Sequence, residues 1–204
     1  MMVEQDWLVT DVGQAKVWPH PSVPCERSQT YRLYRFLTEV EDILATTPYS
    51  QDRLKAIHPL VRQLLTDSAW LQYEIQLPDP DRGWSVTRLY DEPNFPLTVQ
   101  TVVWLPGQTS PIHNHATWGV VALVSGQEKN TFWQRTPSDH HPDQISRVGD
   151  LMLNPGDTIS LMPNAIHCVE AMGNEPTITF NLYGLTDYQT RYNFDPDAHT
   201  ATLF

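Results

Sequence analysis

Apolar residues recur at helical spacing in two stretches of the N-terminal part of the chain. The first stretch covers about residues 28–45 and the second about residues 51–71. Ser28 is a residue type that caps helix N-termini. Pro59 interrupts the second stripe and favours two short helices there. Residues 1–27 are mixed in character and contain three prolines, so they predict irregular structure.

After Pro78 this spacing gives way to short runs of β-branched and aromatic residues between turn residues. Strands are predicted at residues 85–90, 97–105, 119–126, 129–135, 151–156, 158–163, 167–172 and 177–184. Strands at this spacing, with no helices between them, predict a β-sandwich or small barrel rather than a parallel βαβ sheet. We therefore expect one structural domain, in which residues 1–78 form an irregular and helical segment packed on a β-barrel of residues 79–204.

The charge balance narrows the classes of partner. The chain of 204 residues carries a formal net charge of −11, which disfavours nucleic acids and anionic membranes because both are bound by lysine- and arginine-rich surfaces. No apolar run approaches the ~20 residues of a membrane span, and the N-terminal residues show no secretory pattern. Cys25 and Cys168 are too few for a disulfide framework. We expect a cytoplasmic protein, a monomer or small homo-oligomer, that binds small molecules and neither nucleic acid nor membrane.

Three histidines form a candidate metal site. His113 and His115 are one residue apart, and this spacing in a strand points both imidazoles to the same side. His167 follows a similar turn and strand, and a barrel can bring all three together with side chains facing inward. Three neutral imidazoles leave open positions on a metal and suit iron(II), zinc or copper better than calcium or magnesium. Solvated histidines on a strand are the alternative.

The spacing around the first two histidines resembles the first sequence motif of the cupins. Gly107 is followed by five residues, then by His113-Asn114-His115, and later by Gly126. The glutamate of that motif would fall at residue 119, which is glycine here.

The second cupin motif has a glycine eleven positions before its histidine, and Gly156 and His167 keep that spacing, with Pro163 between them. The asparagine that ends this motif is replaced by Ala171. The resemblance implies a mainly β fold, a cupin jelly-roll barrel with N-terminal α-helices.

Cupins with three histidines and no motif glutamate resemble the thiol dioxygenases, which include cysteine dioxygenase and 3-mercaptopropionate dioxygenase. The run WLPGQTSPIHNHATWGVVALVSG, residues 104–126, is similar to the bacterial members throughout. Val86-Thr87-Arg88 sits where cysteine dioxygenases carry a Tyr-x-Arg segment, and TITFNLYG, residues 177–184, resembles their Ser-x-His-x-Tyr strand. The resemblance covers about residues 30–190.

This resemblance implies an iron(II) centre with His113, His115 and His167 as ligands. Each ligand is expected to have its other ring nitrogen held by a hydrogen-bond acceptor. The resemblance also implies that Arg88 binds a substrate carboxylate through its planar guanidinium, and that the Tyr183 hydroxyl lies near the metal.

Three positions depart from the cysteine dioxygenase pattern. Thr179 replaces the serine and can still donate and accept a hydrogen bond. Asn181 replaces the histidine and can hydrogen-bond Tyr183, but it carries no proton at neutral pH. Gly119 stands where mammalian enzymes have a cysteine crosslinked to the tyrosine, so that crosslink is absent. Thr179 and Asn181 are expected to line the substrate site with Tyr183.

The implied reaction is oxidation of a small carboxylated thiol by O2, with both oxygen atoms ending on sulfur as a sulfinate. L-Cysteine is the first expected substrate, because a glutamine often occupies the Arg88 position in the 3-mercaptopropionate group. The alternatives are a 3-mercaptopropionate dioxygenase and a cupin of another class, either an isomerase or a non-enzymatic small-molecule binder. Glu170 and Arg191 are further candidates for supporting the site or selecting the substrate, and Cys168 is expected to be a packed thiol.

Overall fold

The computed structural model describes residues 4–19, 30–68, 71, 75–78 and 80–204. Two helices lie in these ranges, α1 (Leu33–Thr46) and α2 (Ser50–Asp67). The strands of the described residues, numbered along the chain, are β1 (Asp6–Val9), β2 (Ala15–Trp18), β3 (Trp84–Tyr90), β4 (Thr98–Trp104), β5 (Ile112–Asn114), β6 (Gly119–Ser125), β7 (Gln127–Arg135), β8 (Ile145–Leu153), β9 (Thr158–Leu161), β10 (Ile166–Met172), β11 (Thr177–Tyr183), β12 (Tyr192–Asp195) and β13 (Thr200–Leu203).

These strands form two sheets that face each other. One sheet has the order β2-β1-β9-β6-β11-β4-β3, and the other has the order β13-β12-β5-β10-β7-β8. Between them, Val121, Leu123 and Ile159 of the first sheet share an apolar cluster with Phe132 and Leu153 of the second. The mainly β double sheet with N-terminal helices confirms the fold class predicted from the sequence.

The helices pack on the outer face of the seven-stranded sheet. Because side chains alternate along a strand, Val121 of β6 faces the space between the sheets and Val120 faces the helices. Phe36 of α1 meets Phe180 of β11 edge to face, with ring centroids 6.0 Å apart. The helices therefore cover one face of this sheet and leave its inner face free to line a site.

The prediction of irregular structure for residues 1–27 is wrong for two segments, because β1 and β2 both join the seven-stranded sheet. β1 runs parallel to β9, a strand some 150 residues further along the chain. Its first residue, Asp6, is 1% exposed and accepts hydrogen bonds from Arg62 of α2 and Thr158 of β9. A run of four residues is too short to show a strand period, and the partners that fix it are remote in sequence.

Other elements also differ from their predictions. α2 is one continuous helix across Pro59 rather than two short ones, because Leu54 and Val61, on either side of the proline, are both buried in the same core. β8 begins at Ile145, well before the predicted 151–156 strand. β12 and β13 were not predicted, since each has only four residues. The proposed helix cap Ser28 and the thiol of Cys25 lie outside the described residues.

In the part of the chain that the structure describes, no helix combines the length and apolar character that a bilayer crossing requires.

Candidate metal centre

The three histidines meet on the inner face of the six-stranded sheet. His113 lies in β5 and His167 in β10, and the two are cross-strand partners in the antiparallel ladder. Such partners project to the same side of a sheet, and His115 joins them because it lies two residues after His113. The ring centroid of His113 is 4.7 Å from that of His115 and 4.9 Å from that of His167. The structure therefore brings the three predicted ligands together.

The hydrogen bonds of the rings decide which nitrogens are free. His113 Nδ1 donates to the carbonyl of Pro111 at 2.9 Å, and His167 Nδ1 donates to Oδ1 of Asn130 at 3.0 Å. With Nδ1 protonated, a neutral imidazole keeps its lone pair on Nε2. The predicted acceptors are thus present for two of the histidines, and each fixes the tautomer that leaves Nε2 available.

The free nitrogens suit a metal ion. One ligand nitrogen from each histidine lies within 4.8 Å of the others, and Nε2 of His115 is 3.0 Å from Nε2 of His167. Two nitrogens bound at about 2.1 Å to one ion and at right angles to each other would be about 3.0 Å apart. Without a cation between them, this contact is a hydrogen bond only if Nε2 of His115 carries the proton, since His167 donates from Nδ1. The donor set therefore fits a transition metal ion such as iron(II) or zinc.

Burial keeps all three rings neutral. His113 and His115 are 9% exposed and His167 is 4% exposed. Burial lowers the pKa of His113 to about 4 and the pKa of His115 and His167 well below the usual range. Metal ligation requires the neutral imidazole, so near neutral pH no proton has to be displaced before binding.

A row of three side chains on β11 faces the histidines. Thr179, Asn181 and Tyr183 alternate along the strand and line the same cavity as the three rings. The Tyr183 hydroxyl donates to Oδ1 of Asn181 at 3.0 Å, and Nδ2 of Asn181 donates to Oγ1 of Thr179 at 2.8 Å. The Tyr183 ring stacks on His115 with centroids 4.3 Å apart. The structure thus places all three of these predicted substrate-site residues beside the metal ligands, while their roles stay predictions.

Gly119 explains why no glutamate completes the ligand set. It is the register partner of Tyr183, and a Cβ atom at position 119 would lie 2.5 Å from Cδ1 of the Tyr183 ring. Real side chains do not tolerate such a contact, so the ring already occupies the space that a longer side chain would need. The Tyr183 ring thus fills the space beside residue 119, the position where the motif glutamate would fall.

The cavity has a volume of about 90 Å³. Its polar lining includes the histidines and the Tyr183 row described above. The apolar walls come from strands of both sheets and comprise Val102, Trp104, Val121 and Val169. Such a space suits a molecule of a few heavy atoms with a short apolar stem.

Two buried polar lining residues were missed in the sequence, Glu128 and Asn130 of β7. Both are buried, with 3% and 1% exposure, and Asn130 Nδ2 donates to Oε1 of Glu128 at 2.8 Å. They follow Gly126 at alternate positions, ahead of the buried Phe132. Asn130 lies in the predicted strand of residues 129–135, where a polar residue two positions before Phe132 was the signal that could have identified it, whereas Glu128 lies just before that strand.

Arg88 is not brought to the cavity. It pairs with Gln100 of β4, its guanidinium donates to Asp91 at 3.0 Å, and its side chain is 64% exposed. Arg88 lines a separate surface depression with Tyr90 and Tyr188. Its expected contact with a substrate carboxylate stays a prediction that this geometry does not favour.

Arg191 is the arginine that lies near the histidines. It lies just before β12, two residues before Asn193, the register partner of His113, and its charge acts on both His113 and His115. Its Nε is buried without a hydrogen-bond partner among the described residues. Burial lowers the pKa of His115 most, followed by the two neighbouring histidines, and the positive charge of Arg191 lowers it further. Arg191 therefore supplies positive charge beside the ligands, whereas Glu170 projects away from them and contacts Lys129.

Phe204 covers the guanidinium of Arg191. Cζ of Arg191 lies 3.6 Å from the Phe204 ring centroid, and that ring is 6.2 Å from the ring of His113. A cation stacked on an aromatic face in this way is held in position.

An open cavity between two mainly antiparallel sheets, with histidines on its inner face, is the arrangement that the sequence motifs predicted. The fold is cupin-like. No protein-family model matches the chain. Similar solved structures include a cupin superfamily protein from Desulfitobacterium hafniense, with 11% identity over 54% of this chain and 84% of that one, at a TM-score of 0.42.

Two further similar structures are enzymes. An oxalate oxidase in complex with glycolate is 16% identical over 60% of this chain and 61% of its own length, with a TM-score of 0.43. The oxalate decarboxylase of Bacillus subtilis, described with Mn(II) centres, is 22% identical over 58% of this chain and 30% of its own length, also at 0.43. This chain thus spans less than two thirds of either enzyme.

Proposed function

We propose that the protein is an iron(II)-dependent dioxygenase that oxidises a small carboxylated thiol to its sulfinate. In this reaction R–SH and O2 give R–SO2H, so both oxygen atoms are added to sulfur and no other product forms. The observation that carries the proposal is the group of three histidines with no carboxylate, beside which the Tyr183 ring fills the space next to Gly119. Neutral ligands leave the full charge of the metal, which favours an anionic ligand such as a thiolate.

His113, His115 and His167 would hold the iron. When bound, iron(II) supplies the redox chemistry that lets ground-state O2 react with a thiolate. The protein holds the reactants within reach of each other in a small cavity whose apolar walls limit the entry of water.

The Tyr183 hydroxyl is a proton donor in the cavity, on a ring that stacks on the ligand His115. Burial and the Glu128 carboxylate raise the pKa of Tyr183 above its usual range, although the Arg191 charge opposes them. The hydroxyl therefore stays protonated and can donate a hydrogen bond to a developing oxygen charge. In the free protein this hydroxyl donates its hydrogen bond to Asn181, which orients the hydroxyl before substrate binds.

Arg191 is the residue that we assign to the substrate carboxylate. Its charge acts on His115 and on Tyr183, and its Nε has no partner in the described part of the chain. A carboxylate held there would satisfy this group with charge-assisted hydrogen bonds. L-Cysteine and 3-mercaptopropionate both carry such a carboxylate.

Oxygen consumption by the iron(II)-loaded protein tests the proposal, with cysteine, 3-mercaptopropionate and cysteamine compared. We expect turnover of a carboxylated thiol and a sulfinate product by mass spectrometry. Replacing Arg191 by Gln should raise KM for that thiol about tenfold or more and change KM for cysteamine little. Arg88→Gln is the matched control and should have a small effect. Equal turnover of cysteamine, or no turnover of any thiol, would contradict the proposal.

A further inference from the structure

A second pair of histidine rings meets outside the candidate metal centre. His141 lies in the loop of residues 136–144 between β7 and β8, and His199 lies in the turn of residues 196–199 between β12 and β13. Their ring centroids are 4.4 Å apart, and neither ring lines the cavity of the candidate centre. In the sheet, β5 and β10 separate β12 from β7. The two rings therefore join segments that no strand pairing connects.

Both segments are held in shape by their own hydrogen bonds. In the loop, the backbone N–H groups of Ser138 and His141 each donate to the carbonyl of the other residue, at 3.1 Å. In the turn, Oδ1 of Asp195 accepts from the backbone N–H groups of Asp197 and Ala198, at 2.9 Å each. Because the backbone is ordered beforehand, little conformational entropy is lost when a ligand bridges the two rings.

Arg135 brings the loop and the β12–β13 hairpin together. Its guanidinium lies 5.4 Å from the ring centroid of Tyr192 and 4.8 Å from that of Phe194, both in β12. The same guanidinium donates to Asp143 of the loop at 3.2 Å. The loop is thus attached to the hairpin at a second point, which keeps the two histidines near each other.

The two rings are arranged like metal ligands rather than like a stacked pair. Their planes are inclined by 46°, whereas Tyr183 stacks on His115 at 23°. Aromatic pairs prefer near-parallel or near-perpendicular planes, so ring stacking does not account for this angle. His113 and His167, two ligands of the candidate centre, are inclined by 47° with centroids 4.9 Å apart. The second pair therefore has a spacing and an inclination at which two imidazoles can share an ion.

Nδ1 of His199 lacks the partner that a buried polar atom needs. This nitrogen is screened from solvent and makes no hydrogen bond within the described residues. His141, by contrast, is exposed, so an ion can reach the pair from solvent. Asp195 and Asp197 lie in the same turn as His199, and their negative charge attracts cations.

We propose that His141 and His199 form a second metal site, which binds a divalent transition metal ion such as zinc with water completing the coordination. Imidazole nitrogen is a usual ligand of zinc, and zinc normally takes four ligands. The ion links two segments that are remote in sequence, and such a link stabilises the folded chain. This site shares no residue with the candidate centre and does not depend on the proposed function.

Titration of the metal-free full chain with Zn2+, followed by calorimetry, tests the site. We expect one zinc equivalent fewer in His141→Ala and in His199→Ala than in the parent protein. Losing a ligand should weaken binding by more than the about 10- to 100-fold that follows the loss of a ligand's hydrogen-bond partner. The double variant should bind as many equivalents as either single variant, because both histidines hold one ion.

His140→Ala is the matched control, because it removes the exposed histidine next to His141 in the same loop. It should bind as many zinc equivalents as the parent protein. An unchanged number of equivalents in His141→Ala or in His199→Ala would overturn the inference. Loss of an equivalent in only one of these two variants would also overturn it, since that zinc would be held by one histidine without the other.

Hydrogen exchange of the loop gives a second measurement that does not depend on counting ions. Adding Zn2+ should slow the exchange of residues 136–144 in the parent protein and in His140→Ala, but not in His199→Ala, whose substitution lies in another segment. His167→Ala removes a ligand of the candidate centre and should keep this effect of zinc. Slowing that survives in His199→Ala, or that disappears in His167→Ala, would contradict a separate site at this pair.

Discussion

At the scale of single residues, the centre depends on which nitrogen of each histidine carries the proton. Asn130 settles this for His167, because its amide is oriented by Glu128 and can present only its oxygen to the ring. Pro111 does the same for His113 through a backbone carbonyl. Pairs of this kind position a ligand and raise its basicity.

Asn130→Ala should therefore weaken metal binding. The change leaves His167 Nδ1 without its acceptor, and losing such a partner typically reduces metal affinity about 10- to 100-fold. Competition with a chelator measures this affinity. Thr131→Ala, on the opposite side of the same strand, should bind metal like the parent protein. Unchanged affinity in Asn130→Ala would show that the acceptor has no role in ligation.

Glu128 makes stability depend on pH in a predictable direction. Its pKa rises from 4.5 to about 7 on folding, so the folded state holds more protons than the unfolded state between these values. Stability therefore falls as pH rises through this window. As pH rises from 4.5 to 7, the parent should lose roughly 3 kcal/mol of stability through Glu128, and Glu128→Gln should not show this loss. Urea unfolding of both metal-free proteins at several pH values measures this, and parallel pH profiles would contradict it.

For single residues of the candidate site, some positions could be predicted from the sequence and others could not. The histidines could be predicted because a fixed spacing and two glycines accompany them. Arg88 was selected by its position in a motif, but the direction of a long side chain on an edge strand depends on neighbours such as Asp91. Glu128 was missed because a charged residue in an alternating run resembles one that faces solvent.

At the scale of the elements, the close pairing of β6 and β11 shapes the centre. Gly119 lies opposite Tyr183, and the absence of a side chain lets the ring stack on His115. Alternation along each strand could be predicted from the sequence. The register between them could not, since a shift of one residue would turn Tyr183 towards the helices.

Gly119→Ala should displace the Tyr183 ring. The added Cβ would lie 2.5 Å from the ring, so it should lower kcat about tenfold or more and destabilise the fold by about 1–3 kcal/mol. Oxygen consumption and thermal unfolding measure the two effects. Gly149→Ala is the control, because a Cβ there has no atom within 4 Å. Similar behaviour of the two variants would show that the ring position does not matter.

At the scale of the whole molecule, a buried polar cluster fastens the N-terminal strand to the helices and the sheet. Nε2 of His58 is 3.0 Å from Asp6 Oδ2, and Arg62 and Thr158 bond the same carboxylate. Burial alone would raise the pKa of Asp6, but hydrogen bonds from His58 and Arg62 hold it below its usual range. The sequence did not predict this cluster because its members come from three distant segments.

Asp6→Asn should destabilise the whole domain without changing the metal centre. It leaves the buried charge of Arg62 poorly compensated, and breaking such a pair costs about 3–5 kcal/mol. The midpoint of urea unfolding should fall. Metal affinity, measured on the folded protein without urea, should be unchanged. Asp52→Asn, on the exposed face of α2, should have little effect. A small change in the urea midpoint of Asp6→Asn would show that the cluster does not stabilise the fold.

The shared space of Gly119 and Tyr183 also limits how this site could evolve. Adding a carboxylate at position 119 collides with the ring, and shortening Tyr183 alone leaves a void with no ligand to fill it. A four-ligand centre would need both changes together, and each single change passes through an impaired protein. Residues 119 and 183 are therefore expected to change together among descendants of this sequence. A fitness barrier separates the glycine–tyrosine pair from a pair that includes a carboxylate ligand.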